Sequence, residues 1–512
     1  MTTITPFAAG TYLTTRNASQ LTTLKNQVTD LSTQLSSGLT AQTYGGLGSG
    51  RSTALAAQAS LSALTGYAAG ITAAQTRTNV AVTSLTQVAT LGTQTRTTLN
   101  NGLQSSPVNS TAAQSTALDS LTAAFDTLNQ SVAGTYLFGG GDTTTQPVLD
   151  TDTILNGTKK ADGTTDQMGL RDFVSAQVAA DLGTQKNGQL TQSYTPAPDA
   201  NGKPTSTAIA LSDNVSARAN PASGYAITGA STVPIAGGIS ASYALNAAGT
   251  SASVAINVNQ QPAAGDSLTL SLQLPDGTKT TVTLTAAASG TTPASSSTGF
   301  TIGATPGETA QNLNDALTSA LTASAGSTLM ANATARAATS FFSAPNAATK
   351  AANTVLWYQG ENGGGDPRST QSVQVSATSS VQTGVRANED AISKMLAGLA
   401  TVALALPSSS NTNATAIYSA VSSQAQPLLS AADTTPSVQD TVTQLSLAST
   451  QLSNAATNNT ASQNTLQNTL DGIEQAPTQE VVAKLLDVQN RLQASYQVTA
   501  SLSKLSLVNY IS

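Results

Sequence analysis

The chain has 512 residues, of which 39% are hydrophobic and only 9% are charged, and its formal net charge is −6. This length indicates roughly two to four domains, and an acidic chain without a basic footprint argues against a nucleic-acid partner. The sequence contains no Cys and no His. Thiol nucleophiles, Ser-His-Asp triads, disulfides, and zinc or copper sites built on thiolate or imidazole are therefore excluded.

The N-terminal sequence gives no sign of a cleaved leader. Residues 1–10 contain neither the basic segment nor the apolar core that a Sec signal peptide requires. No apolar run approaches the ~18 residues of a membrane-spanning helix. We therefore expect no membrane partner, and either a cytoplasmic chain or one secreted by a route that leaves no cleaved signal.

The N-terminal part carries the spacing of a coiled-coil helix. Its apolar residues recur at alternating intervals of three and four, as the a and d positions of a heptad do. They are Leu21, Leu24, Val28, Leu31 and Leu35. Gly38 predicts the C-terminal end of this helix, because glycine readily adopts the left-handed conformation found there. A glycine-rich connector is expected over residues 44–50.

Two further helices are predicted before residue 140. The apolar stripe resumes at Leu61 and continues to Leu99, which indicates a helix of about 50 residues and about 75 Å. A globular fold rarely requires a helix of that length. After Pro107, a third helical stretch is expected from Leu118 to Val132.

The middle of the chain, from about 141 to 375, changes to the short alternating runs of β-strands. Apolar and polar residues alternate over 268–274 and again over 281–284. The sequence Pro-Asp-Gly at 275–277 lies between the two runs. Alternation on either side of a turn sequence predicts a β-hairpin.

This hairpin belongs to a predicted α+β insert. Residues 254–258 and 300–302 indicate further strands, and residues 305–309 indicate the start of an amphipathic helix. We expect these elements to form a small α+β domain over 241–345, preceded by an irregular or β-containing segment over 141–240.

A return segment over 346–380 follows the insert. It contains Trp357, the only Trp of the chain, which we interpret together with Tyr358 as a core anchor of the insert rather than a ligand platform. Four valines predict a pair of return strands: Val373, Val375, Val381 and Val385. A helix is expected between Asn388 and Pro407.

The C-terminal end resembles the N-terminal end in its heptad pattern. One stripe starts at Leu445, Pro477 interrupts it, and a second stripe continues to the terminus. The second stripe contains Val481, Leu485, Val488, Leu492 and, more weakly, Thr499 and Leu502. Residues 1–100 carry five basic residues and one acidic residue, whereas residues 430–512 carry three basic and six acidic residues. The opposite net charges, +4 and −3, favour pairing of the two ends.

These patterns predict a mainly α fold with a β-rich insert. An N-terminal helical core over 1–140 is expected to pair with a C-terminal helical core over 381–512. Long, thin helices leave apolar surface uncovered in a single chain, and such surface normally marks an interface. A helical bundle whose core closes within one chain remains the alternative.

No group of residues predicts catalysis. The sequences Gly-Gly-Gly-Asp at 139–142 and 363–366 lack the ending of a phosphate-binding P-loop and the ligand spacing of an EF-hand, so we interpret them as turns. Glu389 and Asp390 are interpreted as a solvated helix face rather than an acid–base dyad. We expect no catalytic residues, no metal site and no cofactor.

At both ends the sequence resembles the flagellin superfamily, which contains the flagellins and the hook–filament junction proteins. Residues 34–38, Gln-Leu-Ser-Ser-Gly, match the Leu-Ser-Ser-Gly sequence that closes the first flagellin helix. Residues 492–496 and 505–511 resemble the terminal helix of the superfamily. The resemblance covers roughly 1–140 and 380–512.

Within the superfamily, the sequence is more similar to the junction proteins. Residues 132–140 contain Tyr-Leu-Phe-Gly-Gly and are followed by Pro-Val at 147–148, as in that subgroup. Tyr-Gln-Gly at 358–360 with the later Arg368 resembles its return strand. Flagellins usually carry paired Asp residues after the Leu-Ser-Ser-Gly sequence, whereas residues 40–50 contain no carboxylate.

The resemblance implies a structural subunit of the flagellar axis, located outside the cell and exported unfolded without a Sec signal. The terminal helices would form an antiparallel coiled coil, and the middle domain would project outward. The implied partners are further copies of the chain, neighbouring hook-associated protein and flagellin, and an export chaperone. The implied assembly interface comprises Leu21, Leu24, Val28, Leu31, Leu35, Leu485, Val488, Leu492, Leu502 and Leu505.

Three alternatives stay open at this point. The chain could be a filament flagellin rather than a junction protein. It could also be a surface adhesin or a tail-like fibre protein with helical oligomerisation ends. The third alternative, an enzyme that uses carboxylates, has no supporting motif.

Overall fold

The computed structural model describes residues 6–105, 108–234, 237–293, 295, 297–344, 348, 350–407, 413–430 and 436–511. Within α-helices, the side chains of residues 6–11, 13 and 502–511 lie outside this description. Helices account for 56% of the structure and strands for 16%. The fold is therefore mixed, with long helices at both ends and the sheets in the middle.

Eleven α-helices are present in the described residues. In chain order they are α1 (Pro6–Ser37), α2 (Arg51–Leu103), α3 (Ser110–Leu128), α4 (Thr151–Asn156), α5 (Leu170–Leu182), α6 (Pro306–Ser324), α7 (Met330–Ser343), α8 (Asp390–Ala405), α9 (Ala414–Leu429), α10 (Val438–Glu474) and α11 (Thr478–Ile511).

Fourteen strands are present in the same residues. They are β1 (Ser131–Val132), β2 (Thr135–Tyr136), β3 (Thr158–Lys159), β4 (Thr165–Gln167), β5 (Thr191–Ser193), β6 (Ala208–Ser212), β7 (Ala226–Val233), β8 (Ile239–Leu245), β9 (Ala252–Val258), β10 (Ser267–Gln273), β11 (Lys279–Ala287), β12 (Gly299–Thr301), β13 (Ser372–Gln374) and β14 (Ser380–Gln382).

The chain forms two compact units. The terminal unit comprises Met1–Gln75, Val373–Val381 and Gln451–Ser512, and the central unit comprises Thr76–Ser372 and Gln382–Thr450. Each unit is built from segments that are distant in the sequence.

In the terminal unit, α1 lies in contact with α11. The predicted end of α1 at Gly38 is confirmed, because Gly38 has a φ of +71° and donates its N–H to the Gln34 carbonyl over 2.8 Å. Pro477 separates α10 from α11 as expected. The residues predicted as a glycine-rich connector instead form a 3-10 helix, Tyr44–Gly50.

The parts of α2 and α10 that belong to the terminal unit meet in a small apolar cluster. Its buried members are Ala54, Ala57 and Leu470. The buried Asn459 side chain donates to the Leu64 carbonyl over 2.9 Å. Small residues and one buried amide thus replace the large apolar core of a globular domain.

The first core of the central unit is helical. The long helix predicted from the apolar stripe is confirmed, since α2 has 53 residues, and its second part packs with α3, α8 and α9 around a common apolar cluster. Helix α8 also agrees with the expectation. Val132, predicted as part of the third helix, lies instead in the two-residue strand β1.

Trp357 is a core anchor, but of the helical core and not of the sheet-containing one. It is fully buried and belongs to the same cluster as the apolar residues of α3 and α8. Its ring lies edge-on to Phe342 with centroids 5.4 Å apart. The indole N–H donates to the Phe342 carbonyl over 3.1 Å, which satisfies the one polar atom of the side chain.

The second core of the central unit lies between helix α6 and two four-stranded sheets. The strand orders are β5-β6-β9-β8 and β12-β11-β10-β7. The predicted hairpin is confirmed, with Leu270 opposite Val282 and a φ of +88° at Gly277 in the turn. Thr305 caps the N-terminus of α6 through the Glu308 N–H. Strands β5 to β7 precede residue 241, which is the start expected for the α+β domain. Each sheet therefore combines strands from before and after that expected boundary.

The chain leaves the helical core at α5 and returns to it at α7, and these two helices pack together. Asp181, which is fully buried, accepts from Arg336 over 2.8 Å. Burial raises the pKa of Asp181, although the Arg336 guanidinium opposes this shift. The entry to and exit from the sheet-containing core are therefore adjacent.

The predicted return strands are present as β13 and β14. Val373 lies in β13 and Val381 in β14, and the two strands form a two-stranded sheet. Val375 lies in the connection, where its N–H donates to the Ser379 carbonyl over 2.9 Å. Val385 lies beyond β14 and is buried.

Candidate assembly interface

The predicted stripe of α1 lies on one face of the helix and is only partly covered. Leu21, Leu24, Val28 and Leu31 are partly buried, and Leu35 is 38% exposed. Among the described side chains of α1 none is buried. An amphipathic helix normally hides its apolar face within its own fold, so α1 lacks part of the cover that its sequence requires.

The stripe of α11 shows the same incomplete burial. Leu485, Val488 and Leu492 are partly buried, and between residues 478 and 501 only Val481 is fully buried. The predicted residues Leu502 and Leu505 belong to α11, but their side chains lie outside the described part of the chain.

Parts of the apolar stripes of α2 and α10 are fully buried, whereas Leu61 of α2 and Leu466 and Ile473 of α10 are only partly buried. Ile71, Leu85 and Leu99 of α2 are 0% exposed, as are Leu445 and Leu452 of α10. Their heptad spacing resembles that of α1 and α11, so the difference lies in the cover and not in the pattern. In α1 and α11, by contrast, Val481 is the only buried residue among the described side chains.

Backbone hydrogen bonds join the residues that follow α1 to the turn between α10 and α11. The Thr40 N–H donates to the Glu474 carbonyl over 2.7 Å, and the Ala476 N–H donates to the Gly38 carbonyl over 2.8 Å. Leu39 and Gln475 form a β-bridge between them. The left-handed conformation of Gly38 turns the chain out of α1 and into this contact.

A second apolar face of α11, which was not expected from the sequence, is more exposed. Val482, Leu486 and Tyr496 are 37%, 56% and 54% exposed. At 3.6 residues per turn Val482 and Leu486 share one face, about 90° from the face of Leu485 and Leu492, and Tyr496 lies between the two faces. The residues Val482 and Leu486 recur at an interval of four beside the first stripe, a pattern that could have revealed the face.

The charges of α11 are paired within the helix. Lys484 contacts Glu480 over 2.6 Å and Arg491 contacts Asp487 over 2.9 Å. Among the described side chains, no ion pair joins α1 to α11. Exposed ion pairs at this spacing contribute little to stability, because water and salt screen them. The described contacts between the two helices are therefore those of their partly buried apolar side chains.

The two glycine-rich sequences form turns, as predicted. Gly140 has a φ of +67°, and the Asp142 carboxylate accepts from the Thr144 and Thr145 N–H groups. Asp366 caps a short 3-10 helix by accepting from the Arg368 N–H over 3.0 Å. These carboxylates stabilise local turns.

Glu389 corrects one interpretation. It was assigned to a solvated helix face, but its side chain is 12% exposed and forms an ion pair with Arg368. Glu389 also accepts the Arg386 N–H over 3.0 Å. Burial raises the pKa of Glu389, although Arg368 opposes the shift. The Glu389 carboxylate therefore connects the guanidinium of Arg368 to the backbone at Arg386. The neighbouring Asp390 is exposed and contacts Lys394.

Few other features of the described residues are arranged as a functional site. No three His, Cys, Asp or Glu side chains stand together as a metal site would require, within the residues that the structure describes. None of the described helices combines the length and the apolar character needed to cross a membrane. The incompletely covered terminal helices are thus the strongest candidate site.

Comparison of the chain with models of known protein families, with curated proteins and with solved structures found no match.

Proposed function

We propose that this protein is a structural subunit that polymerises through its terminal helices, as an axial component of the bacterial flagellum. The observation that carries the proposal is the incomplete burial of α1 and α11. No described side chain of α1 is buried, whereas Leu85 in the stripe of α2 and Leu445 in the stripe of α10 are 0% exposed. Apolar faces that one chain cannot cover are typical of subunit contacts.

In this proposal α1 and α11 form an antiparallel coiled coil. The bonds from Thr40 to Glu474 and from Ala476 to Gly38 connect the residues after α1 to the turn before α11, and this connection supports the antiparallel direction. The interval of three and four between Leu21, Leu24 and Val28 is the spacing that such a pair requires. Further copies of the chain would then cover the remaining apolar faces.

The flagellar assignment depends on the resemblance at both ends. The sequence Leu-Ser-Ser-Gly at 35–38 closes α1, where the resemblance implies the end of the first flagellin helix. In the flagellum the chain would lie outside the cell and contact hook-associated protein and flagellin, with a chaperone during export. We favour the junction protein over a filament flagellin because of the Tyr-Leu-Phe sequence at 136–138.

Truncation tests the role of the two ends. Chains lacking residues 1–30 or 490–512 should not assemble, while the central unit, followed by the fluorescence of Trp357 and by circular dichroism, should remain folded. A control chain with an exposed turn shortened at 246–250 should assemble normally. If either truncated chain still entered polymers, the terminal helices would not be the assembly interface.

Cells lacking the chain test the flagellar assignment. Electron microscopy should show an intact hook without a filament. Immunolabelling at the end of the hook, with few copies per flagellum, would identify a junction protein, whereas thousands of copies along the filament would identify a flagellin. Normal flagella in these cells would refute both and would favour a surface adhesin or a fibre protein.

A further inference from the structure

The dipeptide Asn-Gly occurs five times in the sequence. Asparagine is chemically labile, most of all before Gly, which has no Cβ to hinder the attack of its nitrogen on the Asn side chain. The attack requires a side chain that can rotate and a Gly N–H that no hydrogen bond holds in place. The structure therefore separates sites that share one sequence. The five asparagines are Asn101, Asn156, Asn187, Asn201 and Asn362.

Four of the five pairs are held by backbone hydrogen bonds or by a helix. The N–H groups of Gly157, Gly188 and Gly202 donate to backbone carbonyls over 2.9, 3.0 and 3.0 Å. Asn101 lies in the last turn of α2, where the helical backbone directs the following N–H along the helix axis. Asn187 is also buried, with 8% of its surface exposed. In these pairs the Gly nitrogen is not free to attack the side chain.

Asn362 differs from the other four. It is exposed, in the loop that contains the second glycine-rich sequence, and the Gly363 N–H donates to no residue that the structure describes. Its side-chain Oδ1 accepts only a long bond of 3.5 Å from the Asn388 amide, within the same part of the chain. Gly364 and Gly365 follow and are exposed as well, so the backbone on this side rotates easily. Both requirements for the attack are met here.

We propose that Asn362 is a site of spontaneous deamidation and isoaspartate formation in the folded protein, whatever its function. The Gly363 nitrogen loses its proton to hydroxide and bonds to Cγ of Asn362, and Nδ2 takes up a proton and leaves as ammonia. Water then opens the cyclic succinimide. Cleavage of the new N–Cγ bond gives Asp, whereas cleavage of the original peptide bond gives isoaspartate. The net reaction consumes one water and needs neither an enzyme nor an oxidant.

The two products differ in their effect on Arg386. Arg386 is 8% exposed, and its guanidinium donates to the carbonyls of Gly363 and Gly365, the second over 2.6 Å. Isoaspartate lengthens the backbone by one carbon between residues 362 and 363, which moves the Gly363 carbonyl away from Arg386. A buried N–H without a partner is costly. Asp at position 362 adds the same charge without moving the backbone, so isoaspartate should destabilise the loop more than Asp does.

Incubation of the full-length protein in a mildly alkaline buffer tests the site. Trypsin at mildly acidic pH, which limits further reaction, releases the peptide 351–368, and mass spectrometry measures conversion of its amide to the acid. Asn201 is the matched control, because it is also exposed but precedes a bonded Gly202. The ratio of the two rates, Asn362 over Asn201, should be several-fold higher in the native protein than in urea. Equal ratios, or an unmodified Asn362, would overturn the proposal.

Two variants test the chemistry and its consequence. Gly363→Ala should slow the conversion of Asn362, because the added methyl hinders the attack; it would lie 3.2 Å from the Glu361 carboxylate, a flexible group that can shift. Undiminished conversion in this variant would contradict the mechanism. Aged wild-type protein, enriched in isoaspartate, should unfold at a lower temperature than Asn362→Asp. Equal unfolding temperatures would show that Arg386 keeps its partners and would refute the proposed consequence.

Discussion

Replacing Leu486 with Ala should weaken assembly more than it weakens the fold of the single chain. Leu486 is 56% exposed on the second apolar face of α11. Complete burial of a Leu side chain contributes about 1.5–3 kcal/mol. The part already buried in the single chain therefore contributes about 1 kcal/mol, and the part that a neighbouring copy would cover contributes about 1–1.5 kcal/mol.

The expected result is a change in the critical concentration for polymerisation. A loss of about 1–1.5 kcal/mol per subunit contact corresponds to a rise of roughly five- to tenfold, since 1.4 kcal/mol is a factor of ten. Sedimentation of polymers at increasing protein concentration measures this value. Urea unfolding followed by circular dichroism measures the smaller change, below about 1 kcal/mol, in the single chain.

A buried leucine of α10 provides the matched control. Leu452 is 0% exposed, so Leu452→Ala should destabilise the single chain by about 2–5 kcal/mol and affect assembly only through the folded fraction. An unchanged critical concentration for Leu486→Ala, with an ordinary loss of stability, would show that this face of α11 does not contact another copy.

Three further substitutions test the local arguments. Gly38→Ala should destabilise the terminal unit by about 1–2 kcal/mol, because the φ of +71° is unfavourable for alanine. Gly472→Ala within α10 should instead stabilise the unit by up to about 1 kcal/mol. Equal thermal shifts for the two variants would contradict the argument. Trp357→Ala should lower the free energy of unfolding in urea by about 3–5 kcal/mol. In the native protein the fluorescence of Trp357 should resist quenching by iodide. Efficient quenching would contradict its burial. The raised pKa of Glu389 implies a stabilising contribution that is complete at low pH and is lost as the pH rises through that pKa, above 4.5. Glu389→Gln should lack this component of the stability–pH curve, and identical slopes for both proteins would refute it.

The helices of both ends could be predicted because their signals are local. The intervals between Leu21, Leu24 and Val28 define a helical face without any tertiary information, and glycine at position 38 predicts the end of α1. The hairpin around Pro275 to Gly277 is equally local. The structure adds what spacing cannot give, namely that α1 and α11 remain incompletely covered.

Other features depend on contacts that the sequence does not reveal. Strands β6 and β7 are rich in Ala, Ser, Thr and Gly, whose alternation is weak, and their place in the sheets depends on neighbouring strands. The burial of Glu389 depends on Arg368, which lies 21 residues earlier in a different loop. Trp357 was expected to anchor the sheet-containing core, because nothing in the local pattern indicates that Phe342 would bring it to the helical one.

The adjacency of α5 and α7 has a practical consequence for protein engineering. Because the ion pair between Asp181 and Arg336 joins these helices at 2.8 Å, the chain leaves and re-enters the helical core at nearly the same place. Loop closure between adjacent ends depends only weakly on the length of the enclosed segment. The segment between residues 189 and 328 could therefore be exchanged for a foreign domain with adjacent termini, which would make the protein a carrier for repetitive display.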